Sequence, residues 1–291
     1  MLAVVRRGGE SVADEALDNA LFEIQRAEAL MSSWIKQSEI SGLNAATANQ
    51  RVPLSRETLD VLQAARQAAS DTDGAFDVTC RPVIELWRET GATGDLPTDQ
   101  ALAAARTASR WSHFEFEGEC VLKRSESARV DLGGIAKGYA IDRAVAVLKR
   151  SGVEGGMVAV GGDIRLFGRS LSGDKWQVQI RDPFEEGVVG DIEIEAGAVC
   201  TSGSYARFVE IEGRRLSHII DPRTARPAET AASVTLVAPD ALTADIWATA
   251  LSVLGEGGFA RLPPGAEALL ITGTAEDQQF VQTHAFPELI R

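Results

Sequence analysis

Residues 137–160 read KGYAIDRAVAVLKRSGVEGGMVAV, and within them the repeat of the chain changes. Ala140, Ala144 and Leu148 recur at every fourth position, one face of a helix over residues 137–149. Ser151-Gly152 then supplies the glycine that a helix C-terminus takes in a left-handed conformation. Met157 to Val160 is a short apolar run behind two glycines and reads as a buried strand.

Toward the N-terminus the spacing stays helical. Residues 13–34 place Leu17, Leu21, Ile24, Ala27 and Leu30/Met31 at steps of three and four. A second helix starts after Ser55 as N-cap, carries Leu59, Leu62 and Ala65/Ala69 inward and ends near Asp73-Gly74. A third follows Pro97-Thr98 through Ala101, Leu102 and Ala105. Toward the C-terminus the period is two, in Trp176/Val178/Ile180, Ile192/Ile194, Val199/Thr201, Phe208/Ile211 and Val234/Leu236. One helix, residues 242–254, interrupts the strands before a last strand at 268–272. Helices early and strands late predict an α+β fold with largely antiparallel sheet. With no internal repeat and no clear linker, residues 1–291 are read as one domain.

The composition narrows the function classes. The 291 residues are 45% hydrophobic and 24% charged, as in ordinary soluble globular proteins. Acidic residues outnumber basic ones 42 to 29, and the net charge of −13 opposes non-specific binding to nucleic acid or an anionic membrane. Cys80, Cys120 and Cys200 have no CxxC spacing, so neither a disulfide framework nor a zinc site is expected. No apolar run approaches the length of a membrane span, and the run Leu2 to Val5 ends at Arg6-Arg7. A cytoplasmic location is therefore expected of the sequence as written, or an extracytoplasmic one if a leader was trimmed.

Several segments carry chemistry. Val130-Asp131-Leu132-Gly133-Gly134-Ile135-Ala136-Lys137-Gly138 joins a strand-like end to a helix through two glycines, a turn that offers backbone amides to a phosphate. It is neither a Walker loop nor GxGxxG, and a purely structural glycine turn is an equal reading of the segment alone. Gly161-Gly162-Asp163 and Cys200-Thr201-Ser202-Gly203-Ser204-Tyr205 are further turns, structural by default. His218 stands with Asp221 and Arg223 in SHIIDPRT, whereas His113 and His284 lack such neighbours. Asp245 and Thr249 are four apart on the helix at 242–254, so their oxygens share one face, a partial shell for Mg²⁺. Ser33-Trp34-Ile35-Lys36 matches the SxxK of serine β-lactamases, but its KTG and SDN companions are missing.

In order, SSWIKQSEISGLN (32–44), GAFDVTCRPVIELW (74–87), DLGGIAKGYAID (131–142), GGDIR (161–165), TSGSY (201–205), HIIDPRTARP (218–227) and ADIWAT (244–249) resemble the ApbE family of FAD:protein FMN transferases. The resemblance implies an α+β fold of two lobes, with FAD and Mg²⁺ or Mn²⁺ in the cleft between them. It further implies that Ala75, Phe76 and Asp77 contact the flavin, and that Asp131, Lys137 and His218 contact FAD near the adenosine and pyrophosphate. Gly134, Asp245 and Thr249, with the Ala248 backbone, would hold the metal. The implied reaction moves FMN from FAD to a threonine hydroxyl of an acceptor flavoprotein and releases AMP. Lys137 and Asp245 would serve the transfer, and His218 would be the general base. A Mg²⁺-dependent FAD pyrophosphatase and a non-catalytic FAD carrier are the alternative readings.

The chain departs from the pattern in three places. Only Leu2 to Arg6 stands for the family's first strand, Trp34 occupies a tyrosine-like position, and Ala225 follows Thr224 where a glycine is expected. Thr90-Gly91-Ala92-Thr93 resembles the core of the acceptor motif and is read as a plain loop after Trp87. The identity of the acceptor and the oligomeric state are open at this stage.

Overall fold

The computed structural model describes residues 2–6, 10–170, 172–203, 208–211 and 214–290. It is an α+β fold in which every strand pairing among the described residues is antiparallel. The main sheet has seven strands: β1 (Leu2–Arg6), β5 (Gly155–Val160), β6 (Asp163–Phe167), β9 (Gly197–Gly203), β14 (Ser233–Ala238), β15 (Glu267–Gly273) and β16 (Gln278–Gln282), in that spatial order. β1 pairs along β5 from Leu2 opposite Ala159 to Arg6 opposite Gly155.

The period-two pattern sorts side chains to two faces. Val158, Ala198, Cys200, Val234, Leu236, Ala268 and Leu270 pack toward α6 (Ala136–Arg150) and α7 (Ala241–Leu254). Leu166, Val199, Leu269 and Ile271 point the other way, onto the hairpin of β7 (Trp176–Arg181) and β8 (Val188–Ile194) and onto Phe286. Covered on both faces, α7 is buried almost all round and brings Asp245 and Ser252 inside with its apolar residues.

The early helices form as their spacing implies. Ser55 caps α3 (Arg56–Asp71) by accepting from the Thr58 N–H, and Thr98 caps α5 (Asp99–Ala108) through Ala101 in the same way. α1 spans Glu10–Met31, but the centre of its buried stripe is Ala16, Ala20, Ala27 and Met31, with Leu17, Ile24 and Leu30 flanking it. Small residues there let α1 lie close against α6.

The sequence reading needs correction in the first half of the chain and at its last strand. α2 (Glu39–Ala45), α4 (Arg81–Thr93) and the small sheet β2 (Gln50–Pro53), β4 (Cys120–Lys123), β3 (Phe114–Glu117) all lie in the half read as helix and loop, and β16 follows the strand taken as last. Four-residue strands show too few repeats to betray a period. Thr90 to Thr93 is not a loop: it closes α4, with Thr90 3% exposed and its hydroxyl donating to the Leu86 carbonyl. The segment 208–211 does form a strand, β10, paired with β11 (Arg214–Ser217).

Ala225 explains the glycine expected in its place. It sits at φ 57°, the left-handed region, and is fully buried, with its carbonyl accepting the Trp87 indole N–H at 2.8 Å. Glycine there relieves strain of about 1 kcal/mol, but it loses a buried methyl and frees the unfolded chain by a similar amount. Ala225→Gly is therefore expected to leave stability within about 0.5 kcal/mol of the parent, whereas Ala225→Val, branched at a positive φ, costs about 3 kcal/mol. Urea titration of the two variants measures both.

Candidate active site

The site is assembled where the start of α6 meets α7, beside the β5–β6 turn. Gly161 and Gly162, both at positive φ, turn the chain so tightly that Asp163 begins β6 directly beneath Lys137. The Lys137 ammonium lies against the Asp163 carboxylate and 3.4 Å from Asp245 Oδ1. Its side chain keeps 40% exposure while the two carboxylates keep 2% and 4%, so a ligand reaches the cation but not its partners. Asp163 is further fixed by the Thr201 N–H donating to Oδ1 at 3.1 Å. The other oxygen of Asp245 takes the Gly138 N–H at 3.0 Å.

Two carboxylates against one ammonium leave one negative charge in excess, and the protonation equilibria respond. Burial works against the Lys137 charge, yet Asp245 and Asp163 outweigh it and hold the ammonium well above its ordinary range. Burial raises the Asp245 carboxyl to about 6, with Lys137 pulling it down and Asp163 pushing it up.

The glycine turn makes this approach possible. A Cβ on Gly138 would lie 2.2 Å from the Ala241 carbonyl oxygen, so only glycine lets α6 close on the start of α7. A Cβ on Gly134 would stand 3.0 Å from Thr249 Oγ1 and 3.2 Å from Phe76 Cε2, so a bare backbone cradle faces the Thr249 hydroxyl. Ser202 Oγ lies 3.4 Å from that hydroxyl. The turn offers fewer amides to a phosphate than its glycine spacing suggests. The Gly133 N–H is taken by Asp131 Oδ1, Ile135 and Ala136 bond to the Leu132 carbonyl, and Tyr139 bonds to Ile135.

Asp131 joins this centre to its rim. It receives Arg81 Nη1 at 3.3 Å and the Ser33 hydroxyl at 3.5 Å, while its own N–H donates to Val78 O at 2.7 Å. Ser33 thus turns to Asp131, and no hydrogen bond joins it to Lys36 as a β-lactamase-like pair would require. Of the flavin candidates, Ala75 and Phe76 are 1% and 3% exposed and form part of the core, while Asp77 caps the next turn by accepting the Thr79 N–H at 2.8 Å. Ile219, next to His218, packs on Ala75 and Val253, which sets the exposed His218 in a bend beside that turn. The Ala248 carbonyl accepts the Ser252 hydroxyl at 2.8 Å, Gly134 backs onto Thr249, and Asp245 lies one helical turn from Thr249 on α7. No cluster of three His, Cys, Asp or Glu residues suited to a metal occurs among the described residues.

Asp163, Ser202, Arg81 and Ser33 were not among the residues singled out for the site. All four lie in segments that resemble the family; Asp163 also stands directly after a glycine pair that ends a buried strand, and Ser202 in a hydroxyl-rich turn. In the TSGSY segment, Ser204 and Tyr205 lie outside the described residues. The three cysteines are free, His113 is satisfied through Nε2 at the Thr107 carbonyl at 2.9 Å, and His284 is exposed.

Burial is the main reason the Asp77 carboxyl rises to about 6 from 3.8, with the Thr79 donors opposing it. A raised carboxyl contributes stability that is complete below its unfolded value and lost as pH rises through its folded one. Stability is therefore expected to fall between pH 4 and pH 6, by roughly 2 to 3 kcal/mol from this group. Asp77→Asn, which keeps the cap, should flatten that part of the profile in thermal unfolding across this range; an unchanged slope would assign the effect elsewhere.

The antiparallel α+β scaffold thus seats a reachable lysine on two buried carboxylates beside a glycine cradle. Matched to family sequence patterns, residues 3–270 fit the ApbE family. The FAD:protein FMN transferase of Vibrio cholerae serotype O1 is 38% identical over 232 residues, covering 78% of this chain and 69% of the relative. That of Escherichia coli K12 is 31% identical over 242 residues, covering 80% and 69%. Among solved structures, the flavin transferase ApbE from Vibrio cholerae superposes with a TM-score of 0.81 at 33% identity over 96% of this chain and 90% of that one. The ApbE protein of Thermotoga maritima gives 0.83 at 29% identity over 98% and 93%. The chain belongs to the ApbE family.

Proposed function

We infer that the chain transfers the FMN moiety of FAD to a threonine hydroxyl of an acceptor flavoprotein with release of AMP. The observation that carries this reading is the Lys137 ammonium, held charged by Asp163 and Asp245 yet open to a ligand, beside the Gly134–Thr249 cradle. The residues present fit a divalent cation such as Mg²⁺ or Mn²⁺: the pair of carboxylates exceeds the lysine by one charge, and a cradle that a Cβ would fill lies against Thr249. Gly134, Asp245 and Thr249 would hold it. When bound, such a cation neutralises charge on a pyrophosphate during phosphoryl transfer.

The chain's own residues account for the remaining steps. Lys137 binds the pyrophosphate and offsets charge on the departing AMP phosphate. Asp131, tied to Arg81 and the Val78 carbonyl, fixes the rim of the pocket for the adenosine side of FAD. Asp77 and the backbone of the Ala75–Phe76 turn face the flavin. His218 takes the proton of the incoming threonine hydroxyl, a role suited to an imidazole near neutral pH. His218→Ala is expected to lower the transfer rate about 10²-fold with FAD affinity kept within a few-fold, measured by stopped assays under saturating acceptor.

Incubation with FAD, with and without Mg²⁺, beside an FMN-binding-domain acceptor tests the whole reading when AMP and acceptor mass are followed together. Metal-dependent AMP with one FMN added per acceptor is the expected result. AMP without an adduct would replace transfer by hydrolysis, and bound FAD without AMP would leave a carrier.

A further inference from the structure

A pocket of about 410 Å³ opens between the end of α5 and the turn after β12 (Ile220–Asp221), lined by Arg106, Thr107, Ser109, Arg110, Pro222 and Arg223. Three guanidiniums converge there on a chain whose net charge is −13. Arg223 is bound through both oxygens of Asp221 at 2.9 Å, so its charge is largely offset. Arg106 and Arg110 are exposed and have no carboxylate within ion-pair distance among the described residues. Two uncompensated forks therefore face one opening.

None of the residues that handle the pyrophosphate in the proposed reaction lines this pocket, so it is not the phosphate site. It borders the segment of His218 and the Ala75–Asp77 turn all the same. Pro222 and Arg223 follow His218 by four and five residues, and Arg223 Cγ lies 3.7 Å from where a Cβ on Gly74 would stand, at the head of the Ala75–Asp77 turn. The opposite flank of the turn is locked, with the Trp87 indole on the Ala225 carbonyl and Ile220, Ala225, Trp87 and Leu102 packed together. The arginines are thus presented from a packed base beside the Ala75–Asp77 turn.

We propose that this arginine pocket docks an acidic segment of the acceptor protein and so positions its threonine beside His218. Guanidinium forks recognise carboxylates bidentately, and a basic opening on an otherwise acidic surface steers an acidic partner to that one edge. The proposal rests on the transferase reading for the identity of the partner, but the binding itself can be measured without turnover.

The test uses the full chain loaded with FAD, the variants R106Q/R110Q and R106E/R110E, and a fluorescein-labelled hexaglutamate peptide with its hexaglutamine counterpart. Fluorescence anisotropy at low salt should show hexaglutamate binding that weakens about tenfold in the glutamate variant, less in the glutamine variant, and disappears with added NaCl. In turnover, the KM for the FMN-binding-domain acceptor should rise by a similar factor while kcat at saturating acceptor holds. Equal peptide binding by all three proteins would overturn the proposal. So would tighter, arginine-dependent binding of inorganic phosphate than of the peptide, which would make the pocket a phosphate site. If the parent chain transfers no FMN yet binds hexaglutamate through the arginines, the transferase reading fails while the acidic-segment site stands.

Discussion

Asp245→Asn is expected to reduce metal-dependent AMP release on the order of 10³-fold while the protein stays folded. Asparagine matches aspartate in size and still offers an oxygen to the Gly138 N–H, now at 3.0 Å, so the junction of α6 and α7 survives. What disappears is the charge that faces Lys137 and would hold a cation beside Thr249. The same substitution should not lower stability in the absence of metal. Burial raises the Asp245 carboxyl to about 6, so ionising it in the folded protein at pH 7 opposes folding, and that cost falls away below about pH 6. Asparagine removes the cost, leaving Lys137 paired with Asp163. The expected signature is lost activity with an unfolding midpoint at pH 7 equal to or above that of the parent. A variant that keeps more than a tenth of the AMP release would remove Asp245 from the centre of the reaction.

Gly138→Ala is expected to destabilise the protein by about 3 kcal/mol or more and to abolish transfer with it. Alanine normally favours a helix over glycine by about 1 kcal/mol, so the sign here comes entirely from packing. The added carbon would lie 2.2 Å from the Ala241 carbonyl oxygen, which is backbone, and 2.9 Å from Asp245 Cβ. Neither can rotate away, so α6 and α7 would have to separate and Lys137 would leave its carboxylates. Gly42, exposed inside α2 with nothing within 4 Å of its Cβ position, is the control. Gly42→Ala should stabilise by about 0.5 to 1 kcal/mol. Equal effects at the two positions, read from urea denaturation, would show that the close approach at Gly138 does not govern stability.

The contrast between these glycines shows what could be read in the sequence. α3, α5, α6 and α7 and the longer strands were legible because each runs through enough turns or alternations for its buried face to repeat. α2 and the strands β2 to β4 were not, since four to seven residues carry no decisive period, and α4 was not because its buried face is Val83, Trp87 and the polar Thr90 in a segment that holds Pro82 and Gly91. In the site, Lys137, Asp131, Asp245 and Thr249 stood out because each sits in a motif whose residue types suit a phosphate or a metal. Asp163 reads as part of a turn, Ser33 as half of an SxxK pair, and Arg81 has no role of its own in the sequence, because their partners lie between 26 and 98 positions away along the chain.

By itself, then, the order of residues determined the fold class and the family, and pointed to Lys137, Asp131, Asp245 and Thr249 as site candidates, because local periodicity and short motifs are written in consecutive residues. The tertiary structure alone decided that Lys137 rests on two buried carboxylates, that Gly138 is obligatory where Gly42 is not, and that Arg106 and Arg110 meet Arg223 at one opening. Those facts depend on which distant backbone lies within a few ångströms, and burial sets the strength of each charge only once the chain has closed around it.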